Sequence, residues 1–256
     1  MAGESLTGRH GEIPVRWYGD PDAGRPPLVW LHGGGFAHGD LDMPESHAVA
    51  GAVARSGRAV VAVGYRLVPY PVPVDDVADA FAAVRDRAPG GRVVLGGASA
   101  GACLAAAAAL RMRDERRPGP DRLVLAYGTF HAALPAASRA LWRRLAGRWW
   151  WRQMGGRDVA RMNRAYVGAA VADPHALPGG HDLAGLPPAL LLDADRDRLR
   201  ASGERFAREL ADAAVPHEHH VVAGTPHGFL NRPAHPGFAA GVARIVRWLD
   251  GTDHSS

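Results

Sequence analysis

The sequence predicts an α/β fold with a mostly parallel sheet and helices on both of its faces. Three observations lead there. Short apolar runs alternate with longer segments of helical spacing almost from end to end of the 256-residue chain, the pattern that builds βαβ units. Two of the runs, Pro27–Leu31 and Arg122–Tyr127, are nearly all apolar, as strands buried on both faces must be. With 47% hydrophobic and 22% charged residues, the chain has material for one large core.

The elements follow in order. Ile13–Tyr18 opens the sheet, and Pro27–Leu31 is the first wholly buried strand. Glu45–Ser56 carries apolar residues at helical spacing and leads into the Val-rich strand Ala59–Gly64. Val74–Arg87 is the next helix, followed by the strand Arg92–Gly97 and the Ala-rich helix Ala100–Arg113. The strands Arg122–Tyr127, Ala189–Asp193 and His217–Val222 complete the sheet. The helices Ala201–Ala214 and Phe238–Leu249 cover it. Only the stretch between Phe130 and Leu186 breaks the alternation, with more than fifty residues, no convincing strand, four Trp and many Arg. A structureless loop of that length does not suit a compact domain, so a helical insertion over one end of the sheet is expected, spanning about 131–185 of a single domain. The polar tail Gly251–Ser256 is expected to fray.

Composition excludes several classes. The formal charge is +4, and all 30 basic residues are Arg. Arg without Lys, beside abundant Ala, Gly and Pro, reads as a GC-rich coding bias. No basic run with interleaved aromatics appears, so a nucleic-acid partner is not expected. Cys103 is the only cysteine, which rules out an intrachain disulfide and a cysteine metal site. No signal peptide and no run of 18 apolar residues is visible; a cytoplasmic protein without a transmembrane segment is the expectation.

The sharpest motif is Gly97-Ala98-Ser99-Ala100-Gly101, between a strand and a helix. Gly-x-Ser-x-Gly places a serine on a strained turn that lifts its hydroxyl above the sheet, facing a helix N-terminus. His32-Gly33-Gly34-Gly35-Phe36 follows the strand Pro27–Leu31. Its glycines let backbone N–H groups approach a small charged atom. No Lys-Ser/Thr pair follows and the Rossmann glycine spacing is missing, so an oxyanion hole suits the loop better than a phosphate cradle. A serine nucleophile needs a base and an orienting acid. His227 follows the last strand, and Asp193, Asp195 and Asp197 lie at the end of the strand before it. The order Ser, Asp, His is that of the α/β-hydrolase fold. Spacing alone does not choose among the three aspartates.

These motifs together resemble the hormone-sensitive-lipase-like branch of the α/β-hydrolases, whose bacterial members are mostly carboxylesterases. The resemblance runs from about Pro26 onward. It includes Gly39-Asp40, Tyr65-Arg66-Leu67-Val68-Pro69, Leu186-Pro187-Pro188-Ala189, Asp197-Arg198-Leu199-Arg200 and Pro226-His227-Gly228-Phe229. It implies Ser99 as nucleophile, His227 as general base and Asp197 as the acid, with Gly34, Gly35 and Ala100 N–H groups as the oxyanion hole. Phe36, Trp149, Trp150 and Trp151 are the candidate substrate-binding residues. No metal or organic cofactor is implied. The implied partner is a small-molecule ester of small to medium apolar character, with an anionic or carrier-bound ester as the variant; a homodimer is compatible with it. Ala98, Ala102 and Arg198 depart from the family's usual residues, as does the absence of N-terminal cap helices before Ile13. These departures bear on substrate rather than on catalytic groups.

Two rival readings share the fold. One is an amidase, formamidase or acyl-processing hydrolase of natural-product biosynthesis; the other is a non-catalytic binding protein, for which a full Ser-Asp-His set would be superfluous. His217, His219 and His220 alternate between the faces of a strand and lack an accompanying Glu or Cys pattern, so edge histidines are expected there rather than a metal site. From Arg139 to Arg164 eight arginines accompany one acid, Asp158. Arg144, Arg148 and Arg152 recur at helical spacing, beside Trp142 and Trp149–Trp151; they form either a solvated face or a lid that attracts anions.

Overall fold

A computed structural model describes residues 4–145 and 154–251. Eight strands form one sheet in the order β1-β2-β4-β3-β5-β6-β7-β8. They are β1 (Glu4–Gly8), β2 (Gly11–Tyr18), β3 (Leu28–Leu31), β4 (Val60–Val63), β5 (Val94–Ala98), β6 (Arg122–Ala126), β7 (Ala189–Arg196) and β8 (His217–Pro226). The hairpin β1-β2 and the pair β2-β4 are antiparallel. Every other pair is parallel.

Period-two alternation splits the core into two layers. Val29, Leu31, Val61, Leu95, Leu123, Leu125 and Leu191 face one side. They meet α2 (Val72–Arg87), α3 (Ala100–Asp114) and α6 (Arg200–Asp212) there. Leu28, Trp30, Val60, Val94, Val124, Leu190 and Leu192 face the other side, against α1 (Pro44–Ala54) and α7 (Pro236–Asp250). Helix α3 is the central strut of its layer. Its alanines have the highest helix propensity, and from Ala100 to Ala109 no side chain is more than 2% exposed. Small side chains on every face let it lie close to the sheet while α2 packs beside it.

The sheet begins earlier than the Ile13 start that the sequence suggests. In β1 only Leu6 is buried, and one apolar residue makes no alternation. The strand exists because Glu4–Gly8 pairs with Val15–Gly11 of β2, a tertiary gain invisible in its own composition. The last two strands also run further than expected, to Arg196 and Pro226. Within the insertion the described residues hold two helices, α4 (Arg139–Leu145) and the strongly amphipathic α5 (Gly156–Val167). Among the described residues no helix is long and apolar enough to cross a membrane.

Candidate active site

The serine motif is a sharp turn because nothing larger fits. Ser99 stands between β5 and α3 at φ 54°, ψ −115°, a left-handed conformation costly for a residue with a Cβ. A Cβ on Gly97 would come 2.5 Å from the Gly101 carbonyl carbon and 2.8 Å from the Leu31 oxygen. One on Gly101 would overlap the carbonyl oxygens of Leu31 and His32. Both glycines are thus required by backbone crowding between β3 and the head of α3. The Ser99 N–H donates to Ala126 O at 2.8 Å, which locks the turn to β6 and leaves the residue 8% exposed at the C-terminal end of the sheet.

His227 follows β8 directly. Its Nε2 lies 3.1 Å from Ser99 Oγ, and its Nδ1 lies 2.6 Å from Asp197 Oδ2. The Nδ1–H therefore donates to the carboxylate, and Nε2 is the acceptor for the serine hydroxyl. Burial disfavours the imidazolium. The Asp197 charge and hydrogen bond, with Glu45 and Asp193 behind them, outweigh it, so the His227 pKa lies above its ordinary 6.5. Asp197 is 3% exposed and accepts the Leu199 N–H at 2.9 Å.

The other two aspartates have different work. Asp195 accepts the Gly224 N–H at 2.9 Å and the guanidinium of Arg144 on α4, the Nε at 2.8 Å. The Arg144 hydrogen bonds hold its carboxyl below the usual carboxylate range. Asp193 is buried with His219, 2.7 Å away, and burial pushes its pKa up. His220 pairs with Glu218 at 2.8 Å and His217 with the Val215 carbonyl at 3.0 Å, so the three histidines turn to three different partners.

The glycine loop is held from all sides. Gly34 (φ 116°) and Gly35 (φ 62°) are left-handed; a Cβ on Gly34 would collide with His38 O, and one on Gly35 would lie 3.0 Å from Met162 Sδ. The His32 ring stacks on Tyr65 at 4.3 Å, and its Nδ1–H donates to Gly33 O at 2.7 Å. Burial lowers the His32 pKa, so the ring is a neutral strut. Below the loop the Gly33 N–H donates to Glu45 Oε1 at 2.7 Å, and Tyr127 OH donates to Glu45 Oε2 at 2.8 Å. No motif in the sequence marks Glu45 or Tyr127. Glu45 reads as an ordinary acidic residue in a first helical turn, and only the fold brings it under a loop twelve residues away.

Phe36, expected at the substrate, is 4% exposed and stacks face to face on Tyr166 of α5 at 4.0 Å. Its ring joins the glycine loop to the insertion. Met162 and Tyr166 thus seat α5 beside the loop, and Tyr70 N–H donates to Tyr166 O at 2.9 Å. Trp149, Trp150 and Trp151 lie outside the described residues. Trp142 on α4 is 49% exposed. A second Ser–His–carboxylate row occurs in Ser202, His131 and Glu209, at 2.8 and 3.1 Å. Ser202 stands within α6 without a strand-to-helix turn, and Gly179 closes over the His131 ring; this row ties the start of the insertion to α6.

A mostly parallel sheet with a serine turn after β5, an aspartate after β7 and a histidine after β8 is the arrangement of the hydrolase class of α/β proteins. The chain belongs to the α/β-hydrolase fold family, whose profile matches residues 28–231. It is 32% identical to the carboxylic ester hydrolase LipN of Mycobacterium tuberculosis, over 96% of this chain and 68% of that protein. It is 31% identical to an ethyl acetate hydrolase of Pseudomonas putida, over 88% and 74%. Among solved structures, the hyperthermophilic esterase of Pyrobaculum calidifontis superposes with a TM-score of 0.86 at 29% identity, covering 99% of this chain and 86% of that one.

Proposed function

We propose that this chain is a serine carboxylesterase acting on small to medium apolar esters through an acyl-enzyme. The observation that carries the reading is the continuous row Ser99 Oγ, His227 Nε2, His227 Nδ1, Asp197 Oδ2, with spacings of 3.1 and 2.6 Å. Its likeness to proteins named as ester hydrolases supports the same chemistry. His227 Nε2 takes the proton of Ser99 as Oγ attacks the ester carbonyl. The oxyanion is received by the N–H groups of Gly34, Gly35 and Ala100, the last at the open N-terminus of α3. The intermediate collapses, the ester C–O bond breaks, and the alcohol leaves with the proton from His227. Water, deprotonated by His227, then attacks the acyl-enzyme and releases the carboxylic acid. Asp197 keeps the proton on Nδ1 and stabilises the imidazolium. The insertion at about 131–185 acts as a lid within a single domain; its helix α5 is seated on the glycine loop by Met162 beside Gly35 and Tyr166 on Phe36.

The test is hydrolysis of short p-nitrophenyl esters by the wild type and by Ser99→Ala, alongside the matching anilide. Fast ester turnover that the substitution abolishes, with slow anilide turnover, is the expected result. Preferential anilide cleavage would favour an amidase. Ester turnover surviving in Ser99→Ala, or absent from the wild type, would reject the serine mechanism.

A further inference from the structure

Glu45 and Tyr127 belong to neither the triad nor the oxyanion loop, yet they join the two. The Glu45 side chain is buried, with the residue 2% exposed. Its two oxygens take the Gly33 N–H at 2.7 Å and the Tyr127 hydroxyl at 2.8 Å. A Cβ on Gly33 would overlap Oε1, so the loop lies directly on the carboxylate. The Glu45 main chain is pinned as well: its N–H donates to Asn231 Oδ1 at 3.1 Å, and its carbonyl accepts Trp30 Nε1–H at 2.7 Å. On the far side, the Tyr127 ring meets His227 edge to face at 5.1 Å and Phe229 at 5.1 Å. A chain of contacts therefore runs from Gly33 through Glu45 and Tyr127, two hydrogen bonds and then ring packing, to the segment that carries His227.

We infer that Glu45, braced by Tyr127, is a positioning residue that sets the oxyanion loop and His227 in register. The inference rests on the hydrolase reading above. Two loops from distant parts of the sequence must be placed to a fraction of an ångström for a tetrahedral intermediate to meet both base and donors. Glu45 pulls on the first peptide of the glycine loop, while Tyr127 packs on the imidazole that receives the proton. The groups facing the imidazole are Ser99 Oγ, the Asp197 carboxylate, the Tyr127 ring and, further off, Glu45 and Asp193. Asp197 orients the ring, and Glu45 adds a second negative charge that favours the imidazolium formed in each proton transfer.

Glu45→Gln keeps the shape and removes the charge; Tyr127→Phe cuts the brace and leaves the charge. The assay is kcat, KM and the pH profile of kcat/KM for a short p-nitrophenyl ester, with Ser99→Ala as the control. Glu45→Gln is expected to lower kcat about 10- to 100-fold, as for a small misplacement of catalytic groups, with KM held within about twofold. It also moves the acid limb of the profile to lower pH. Tyr127→Phe lowers kcat by a smaller factor and leaves the limb in place. The double variant loses less than the product of the two single losses, as coupled residues do. A Glu45→Gln enzyme with wild-type kcat and an unmoved limb overturns the inference, as do losses that simply multiply. Should Glu45→Gln not fold, an unchanged kcat in Tyr127→Phe overturns it alone. If Ser99→Ala keeps its turnover, the hydrolase reading itself has failed.

Discussion

Asp195 and Asp197 stand two residues apart at the end of one strand, and substitution by asparagine should separate them by orders of magnitude. Asp197 Oδ2 sits 2.6 Å from His227 Nδ1. An amide at that place turns an N–H toward the ring, so the imidazole reverses its tautomer and Nε2 no longer accepts the serine proton. Such a change typically costs about 10⁴ in kcat, or roughly 5.5 kcal/mol of barrier at 1.36 kcal/mol per decade. The Asp195 carboxylate is turned instead to Gly224 and Arg144. In Asp195→Asn the amide oxygen would still accept the Gly224 N–H, while the ion pairs to Arg144, whose side chain is 50% exposed, and to Arg200, at 3.6 Å, would be lost. Both pairs lie off the row Ser99–His227–Asp197, and the half-exposed one contributes little, so the loss of turnover there should stay under about tenfold. The measurement is kcat/KM on a short p-nitrophenyl ester for Asp195→Asn and Asp197→Asn, with thermal unfolding as a check on both. Equal losses, or the larger loss at 195, would refute the assignment of the acid.

Three further outcomes are expected. His227 works as a base only when neutral and its pKa is raised by Asp197 against the effect of burial, so kcat/KM should climb with pH through a midpoint above 6.5; a midpoint below that value contradicts the geometry. Gly97→Ala forces a Cβ to 2.5 Å from the Gly101 carbonyl carbon and should destabilise by about 1–3 kcal/mol in urea unfolding. Gly119→Ala meets nothing within 4 Å and should stay within about 0.5 kcal/mol; similar midpoints for the two would count against the crowded turn. The arginines between 139 and 164 should make kcat/KM for an anionic ester fall with rising salt while a neutral ester of equal size is unaffected; equal responses would mean that these charges lie off the substrate's path.

Much of the molecule is legible in the sequence alone, because its signals are local. Apolar runs such as Leu28–Leu31 are strands whose burial on both faces is written in their own composition. The glycines at 97 and 101 announce a turn that only a missing Cβ permits. The order of Ser99, the aspartates and His227 along the chain follows from strand order, which connection rules constrain tightly. Strand β1 was not legible, since Leu6 is its only buried residue and its stability comes from the pairing with β2. Spacing could not separate Asp193, Asp195 and Asp197 either. All three are the same residue type at the end of β7 or just beyond it, and what distinguishes them is which neighbour the tertiary fold brings up: His219, Arg144 or His227. Phe36, a candidate substrate-binding residue, is 4% exposed with Tyr166 of α5 laid across it, a neighbour that only the fold of the insertion supplies. Glu45 was the least visible of all. Its importance lies in contacts with Gly33 and Tyr127, twelve and eighty-two residues away. A sequence encodes the residue types that can bear a charge or a turn, whereas the packing of β3, β6 and α1 against one another decides which charge stands beneath which loop.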